Sequence, residues 1–177
     1  MVKKYLRIML VNLVLLLTFY PYSATAAVSL KGIWHLQDRK NASALLESAI
    51  NNAVKGMNFF VRTKGRKILR NETNLCYTWS LAATKKDFIW QCNSEDVSRL
   101  SLKANKLRAS NHNNEIIKST YKEENNSISV TFESSTGKRV YSWSIVHNNY
   151  IEFTTKIERK GIPKSLEWTL IYSRIMR

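Results

Sequence analysis

Apolar and polar residues alternate with a period of two from about residue 74 to the C-terminus. The clearest runs are 127–132, 141–145, 151–157 and 166–172, and weaker ones lie at 75–81, 87–92, 97–102, 106–110 and 115–122. Such alternation is typical of strands that bury one face. With residues 32–37 as a short first strand, the pattern predicts eight or nine further strands separated by polar turns.

A helix is predicted between the first strand and this region. Apolar residues recur there at steps of three and four positions, at Ala42, Leu45, Leu46, Ala49, Ile50, Ala53 and Val54. Asp38 or Asn41 can cap the start of this helix, and Gly56 can end it. Since its polar face carries little basic charge, we expect it to pack against the sheet and not to bind a membrane.

The next segment, residues 57–70, is the most basic part of the chain, because five of its last nine residues are Lys or Arg. As a helix it would turn four apolar residues to the core, namely Met57, Phe60, Val61 and Ile68. Arg62, Arg66 and Arg70 would then lie one turn apart, and their mutual repulsion favours an anionic partner. A solvated basic face neutralised by Glu72 and by salt is the alternative. Gly65 can split the segment into two short turns.

Short polar turns between successive strands favour an antiparallel meander, and closure of so many strands removes exposed edges. We therefore predict a mainly β fold. In this fold the antiparallel meander closes into a barrel of about eight strands, with an N-terminal helical insert at about residues 39–70 after the first strand. A barrel of that size is either filled by side chains or holds one small ligand.

The N-terminal 26 residues have the three parts of an export signal. Three basic residues precede an apolar run at 8–19, and the small-x-small sequence Ala-Thr-Ala follows at 24–26. The run is shorter than the roughly 20 apolar residues of a spanning helix. We therefore expect cleavage after Ala26, a periplasmic or secreted location, and a single domain at 27–177.

The whole chain carries 28 Lys and Arg against 13 Asp and Glu, a formal net charge of +15. Three of the basic residues and none of the acidic ones lie in the export signal, so 25 basic and 13 acidic residues leave the domain at +12. Outside the cytoplasm such a charge attracts lipid phosphates, lipopolysaccharide and anionic glycans. Solubility alone is the alternative explanation.

Cys76 and Cys92 are the only cysteines. An even number in an exported chain favours one disulfide. Two strands folded about Thr84 would place Cys76 opposite Cys92, close enough for a bridge. We therefore predict a Cys76–Cys92 disulfide and not a metal pair, since the histidines show no metal-ligand spacing with these cysteines.

Groups for catalysis are scarce. His112 and His147 lie in Asn-rich turns and His35 lies beside Trp34, where surface or rim roles are ordinary. The sequence contains no Gly-x-Ser-x-Gly elbow, His-Glu-x-x-His helix or Gly-rich phosphate loop. We therefore expect a protein that is not an enzyme and that uses no cofactor and no metal.

Two short patterns resemble known families. Gly32-Ile33-Trp34 resembles the Gly-x-Trp first strand of lipocalins and other calycins, in which the Trp closes one end of the barrel. The sequence KGMNFFVR at 55–62 looks like a pattern in uncharacterised exported bacterial proteins of lipocalin-like type. These resemblances imply a lipocalin-like fold and an exported location, and they transfer no functional residue. The helical segment directly after the first strand departs from lipocalins, which usually place their helix after the barrel.

The binding hypothesis rests on large aromatic side chains on strand faces and on the basic segment. The candidate ligand-binding residues are Arg62, Arg66, Arg70, Trp79, Trp143 and Trp168. If the tryptophans line a cavity beside the arginines, the site suits an amphiphile with an anionic head; if they fill the core, it does not.

We therefore predict a monomeric, non-catalytic exported binding protein for an amphipathic or anionic envelope ligand such as a lipid. We expect peripheral contact with a membrane surface and no specific nucleic acid. An envelope accessory or inhibitor protein with a filled barrel, acting through a protein partner, is the alternative.

Overall fold

The computed structural model describes residues 29–102, 107–110, 116–124 and 126–175, with backbone only at 107–110. The predicted export signal at 1–26 and His112 lie outside the described residues. The described residues form ten strands: β1 (Gly32–Leu36), β2 (Thr78–Ala83), β3 (Asp87–Cys92), β4 (Ser98–Ser101), β5 (Leu107–Ser110), β6 (Ile116–Glu124), β7 (Ser127–Glu133), β8 (Gly137–His147), β9 (Tyr150–Arg159) and β10 (Leu166–Arg174). Two helices, α1 (Arg39–Ala53) and α2 (Phe59–Glu72), lie between β1 and β2.

The strands form one antiparallel sheet in the order β4-β3-β2-β1-β10-β9-β8-β7-β6-β5. Pairing of β1 with β10, in which Trp34 lies opposite Arg174, curls the sheet into a nearly closed barrel. The outer strands β4 and β5 are consecutive in the chain and flank its seam. The predicted fold class is confirmed, with nine strands after the helices and ten in the barrel.

Alternate side chains of the long strands point into the barrel, as the sequence pattern predicts. In β10 the buried residues are Leu166, Trp168, Leu170 and Tyr172, and the residues between them are exposed. In β9 the buried residues are Ile151, Phe153, Thr155 and Ile157. Every second residue of these two strands therefore faces the interior of the barrel.

Trp34 is fully buried and joins the first strand to the last. Its indole N–H donates to the backbone oxygen of Leu30 at 2.9 Å. The guanidinium of Arg174 lies over its ring, 4.5 Å from the centroid. Trp34 therefore packs at the β1–β10 junction, where the barrel closes.

Helix α1 begins after Asp38, which is its cap. The Asp38 carboxylate accepts a hydrogen bond from the backbone N–H of Asn41 at 3.1 Å, and this hydrogen bond is the main cause that lowers the pKa of Asp38. Ala42, Ile50 and Ala53 are buried, and the helix packs against β10. The predicted packing of this helix on the sheet is confirmed.

Helix α2 is continuous through Gly65 and does not split into two turns. A β-carbon at Gly65 would lie 3.2 Å from Val54 Cγ1 and 3.4 Å from Ile162 Cδ1. Because glycine has no side chain, α2 can approach the end of α1 and the β9–β10 turn closely. This packing offsets the low helix propensity of glycine, which costs about 1 kcal/mol.

The orientation predicted for α2 is wrong for two of its four apolar residues. Gly65 and Leu69 are buried, whereas Phe60 is 84% exposed and Val61 is 46% exposed. Phe60 and Leu69 are nine positions apart, which at about 100° per residue places them on opposite sides of the helix. The buried face is therefore centred on a glycine and a single leucine, which the apolar pattern of the segment does not mark.

The disulfide between Cys76 and Cys92 is confirmed, with the two α-carbons 5.2 Å apart. The register expected for it is wrong, because Cys92 pairs with Trp79. Strand β2 continues to Ala83, so the turn is centred beyond Thr84 and the register moves by three residues.

Cys76 meets Cys92 from outside the strand ladder, and Asn93 holds this arrangement. Asn93 follows β3 with φ of 53°, a left-handed conformation that Asn tolerates better than most residues. Its side-chain oxygen accepts hydrogen bonds from the backbone N–H groups of Tyr77 at 2.8 Å and Thr78 at 3.2 Å. The segment before β2 is thereby held against the end of β3.

Candidate ligand-binding site

Aromatic side chains fill one part of the barrel interior. The ring centroids of Trp79 and Trp143 are 5.3 Å apart, and those of Trp79 and Phe153 are 4.8 Å apart. Trp143 is fully buried. It is therefore a core residue, whereas Trp79 and Trp168 also border a small cavity.

A larger cavity of about 640 Å³ lies at the end of the barrel that carries the helices. It extends from β4 on one side of the seam to β6 on the other, and the C-terminus of α2 borders it. Its apolar and aromatic lining consists of Trp90, Leu100, Ile117, Phe132, Tyr141 and Ile157. This lining gives a mainly apolar wall on which a hydrocarbon chain can pack.

The small cavity, of about 110 Å³, extends the large one toward the aromatic cluster. Both are lined by Glu72, Trp90, Ser98, Tyr141 and Ile157. Thr155 also lines the small cavity; its hydroxyl is buried and makes no hydrogen bond to the described residues. Since an unpaired buried hydroxyl is costly, this group is available to a polar atom that enters the cavity.

Two arginines share one carboxylate at the edge of the large cavity. Glu72 Oε1 lies 3.2 Å from Arg159 Nη1, and Glu72 Oε2 lies 3.8 Å from Arg139 Nη2. The exposed fractions of the three side chains are 21% for Glu72, 31% for Arg139 and 36% for Arg159. The group is therefore partly desolvated and reachable from solvent.

Neighbouring groups fix the positions of these arginines. Arg139 Nη2 donates to the backbone oxygen of Glu72 at 2.9 Å and so satisfies a carbonyl at the C-terminus of α2. Arg159 Nη1 donates to Thr136 Oγ1 at 3.2 Å, and the Arg139 guanidinium lies 6.0 Å from the ring centroid of Tyr141. Both guanidinium groups are thus held at the mouth of the cavity.

The lining of the large cavity has an excess of positive charge. Four basic residues line it, Arg99, Lys138, Arg139 and Arg159, against two acidic ones, Glu72 and Glu158. An anionic group is therefore attracted to this mouth.

The arginines predicted from the sequence lie elsewhere. Arg70 makes two hydrogen bonds to Glu47 of α1, at 2.8 and 2.7 Å. This contact is the main cause that holds the pKa of the Glu47 carboxyl below its ordinary value. Arg62 Nη2 donates to the backbone oxygen of Met57 at 2.8 Å. Neither they nor Arg66 line the two cavities described above, and a binding role for the three stays a prediction.

Arg139 and Arg159 are not among the binding residues predicted from the sequence, although their positions on the inward side of β8 and β9 mark them. Arg139 shares the inward phase of Tyr141 and Trp143 in β8, and Arg159 shares that of Ile157 in β9. The signal in the sequence is a basic residue near one end of a strand, at a two-residue spacing from the apolar residues that face the interior. Glu72, which the sequence suggests as a neutralising charge for the basic face of α2, pairs instead with these two strand arginines.

The described residues hold no group of three or more His, Cys, Asp or Glu side chains placed to bind a metal ion. None of the described helices is long and apolar enough to cross a membrane.

No protein-family model matches the chain, and no curated protein matches its sequence. Solved structures that resemble it include a REP1-NXSQ fatty acid transporter, with 16% identity over 84% of this chain and 97% of that one and a TM-score of 0.49. Fatty-acid-binding protein 1 of Echinococcus granulosus has 14% identity over 83% and 98%, with a TM-score of 0.49.

A Schistosoma mansoni fatty acid binding protein in complex with arachidonic acid has 14% identity over 85% of this chain and 99% of that one, with a TM-score of 0.46. With every one of these scores below 0.5, the fold assignment rests on this chain's own strand order. By that order the protein is a nearly closed antiparallel β-barrel with a helical pair between its first two strands.

Proposed function

We propose that this protein is a non-catalytic binding protein for an anionic, lipid-like amphiphile. The observation that carries the proposal is the cavity of about 640 Å³ whose apolar wall ends at Arg139 and Arg159, two cations that share the single carboxylate of Glu72. An aliphatic chain would pack on the apolar wall, and an anionic head would pair with the two guanidinium groups.

The size and chemistry of the cavity fit such a ligand. Sites for small molecules commonly measure roughly 300–1,000 Å³ and combine apolar walls with a few placed polar groups. Each methylene that leaves water contributes about 0.8 kcal/mol. The affinity for a saturated acid should therefore rise about fourfold per added methylene until the cavity is full.

The compartment is part of the proposal. An N-terminal segment with the features of an export signal would deliver the domain to the periplasm or outside the cell, cleaved after Ala26. There the ligand would come from the envelope. N-terminal sequencing of protein recovered from the host envelope tests this part, and a retained residue 1 in cytoplasmic protein would contradict it.

The ligand test begins with native mass spectrometry and lipid extraction of protein purified after export of the full chain. Displacement of a fluorescent fatty acid by acids of increasing length then measures the chain dependence. Arg139→Gln/Arg159→Gln should weaken acid binding by roughly 10- to 150-fold, the value of about 1.5–3 kcal/mol for a hydrogen bond to a charged group. The matched control is Lys85→Gln/Lys86→Gln, in the β2–β3 turn at the opposite end of the barrel.

A second function is favoured by one specific observation. The aromatic cluster around Trp143 closes the interior beyond the small cavity, which leaves a partly filled barrel. If no ligand enters the space that remains, the protein would act through a protein partner in the envelope. Exported protein that carries no lipid and displaces no fluorescent acid would remove the first function and leave this one.

A further inference from the structure

Two phenylalanines at the start of α2 lie in solvent. Phe59 is 74% exposed and Phe60 is 84% exposed, and their ring centroids are 5.7 Å apart in an edge-to-face arrangement. Asn58 fixes this end of the helix, because its side-chain oxygen accepts from the backbone N–H of Val61 at 3.0 Å. The pair therefore forms a fixed apolar tip, here called the Phe59–Phe60 tip.

A row of lysines shares the face of Phe60. Lys64 and Lys67 follow Phe60 at steps of four and three residues, so the three side chains lie on one side of α2. Both lysines are exposed, and this side is opposite buried Leu69. The outward face of α2 thus joins an aromatic end to a cationic flank.

The surface beside this face is also basic. Residues 54–67 and 160–165, which meet where Gly65 packs against Ile162, contain seven basic residues and no acidic one. A surface groove of about 400 Å³ runs between them, lined by apolar residues and glycines together with Thr136, Lys64, Arg159 and Lys160. The apolar tip therefore belongs to one of two adjoining chain segments whose charged residues are all basic.

We propose that the Phe59–Phe60 tip and the lysine face of α2 dock on a lipid bilayer that contains anionic phospholipid. Aromatic side chains insert into the boundary between headgroups and acyl chains, while lysines at their side pair with lipid phosphates. A bilayer offers both an apolar layer and a plane of negative charge, which matches this order of groups. The face lies at the helical end of the barrel, as does the mouth of the large cavity, so docking would present that mouth to the membrane.

The test is co-sedimentation of protein purified from expression of the full chain with vesicles of phosphatidylcholine alone or with about one third phosphatidylglycerol. The wild type should bind only the anionic vesicles, and salt should weaken binding. Phe59→Ser/Phe60→Ser should lower the partition coefficient about tenfold or more. Lys64→Gln/Lys67→Gln should lower it by about fivefold per lysine.

Matched controls lie at the opposite end of the barrel. Val146→Ser/Tyr150→Ser removes two exposed apolar side chains there, and Lys85→Gln/Lys86→Gln removes the same charge as the lysine variant. Both should bind vesicles within about twofold of the wild type. Because all these side chains are exposed, thermal unfolding of each variant should match the wild type.

A direct measurement uses Phe60→Trp, whose emission should shift to the blue and be quenched by brominated lipid in anionic vesicles. Equal sedimentation of the wild type and Phe59→Ser/Phe60→Ser would overturn the proposal. So would equal losses in the controls, which would indicate attraction by net charge alone. A wild-type dimer that becomes monomeric in Phe59→Ser/Phe60→Ser, without vesicle binding, would assign the tip to a second copy of the chain and overturn it too.

Discussion

Glu72 occupies the position that an anionic ligand head would need. Its carboxylate lies 3.2 Å from Arg159 and 3.8 Å from Arg139, so a ligand must displace it or share both cations with it. Glu72→Gln keeps the shape of the side chain and removes the charge. We therefore expect this variant to bind anionic amphiphiles more tightly than the wild type.

The size of this effect follows from the two ion pairs. Pairs that reach solvent contribute about 0.2–1 kcal/mol each, because water screens them. Because the Glu72 side chain is only 21% exposed, its two ion pairs should contribute energies in the upper part of that range. Loss of both pairs is thus worth about 1–2 kcal/mol, which corresponds to roughly 5- to 30-fold in affinity.

The assay is displacement of a fluorescent acid by a saturated fatty acid and by the alcohol of equal chain length. Glu72→Gln should raise the affinity for the acid and leave that for the alcohol within about twofold. Thermal unfolding checks that α2 stays folded. Unchanged or weaker acid binding in a folded Glu72→Gln protein would refute the idea that Glu72 competes with the ligand.

Three further predictions concern the fold. Cys76→Ser/Cys92→Ser should lower the free energy of unfolding by about 3 kcal/mol, since the bridge closes a loop with a sequence separation of 16; denaturation in urea measures it, and an unchanged midpoint would contradict it. Gly65→Leu should lower the free energy of unfolding by about 1–3 kcal/mol, because the leucine side chain would force α2 away from Val54 and Ile162. A melting temperature equal to that of the wild type would contradict this. Burial raises the pKa of Tyr172, so the stabilisation from keeping it neutral is complete below about pH 10 and is lost as the pH rises further. The Tyr172→Phe variant should therefore lose less stability than the wild type between pH 9 and 11, as measured by urea midpoints. Equal losses in the two proteins would contradict burial of Tyr172 as the cause.

The strands were predictable because one side of each faces the interior. In β10 every second residue from Leu166 to Tyr172 is buried, and a period of two in the sequence records that burial directly. The disulfide was predictable from the number of cysteines. Its register was not, because Asn93 binds the backbone before β2 and no local pattern of apolar residues reports that contact.

The helical face and the cation pair depended on contacts made far along the chain. Gly65 marks the buried side of α2 because Val54 at the end of α1 and Ile162 of the β9–β10 turn pack against it. Arg139 and Arg159 come together because β8 pairs with β9, and Glu72 reaches them from another element. The sequence pattern around each residue does not indicate these contacts, because their partners lie in other elements far along the chain, 67 positions apart in the case of Glu72 and Arg139.

The closure of the barrel sets the order in which the chain can fold. Strands β6 to β10 pair with their sequence neighbours, so these hairpins can form one after another. The β1–β10 pairing is different, because the first strand can pair with the last only after β10 is available. In this pairing Trp34 lies opposite Arg174. Contacts between such distant residues form slowly. A chain that emerges from a ribosome or a translocation channel therefore stays an open sheet until β10 is free to pair with β1.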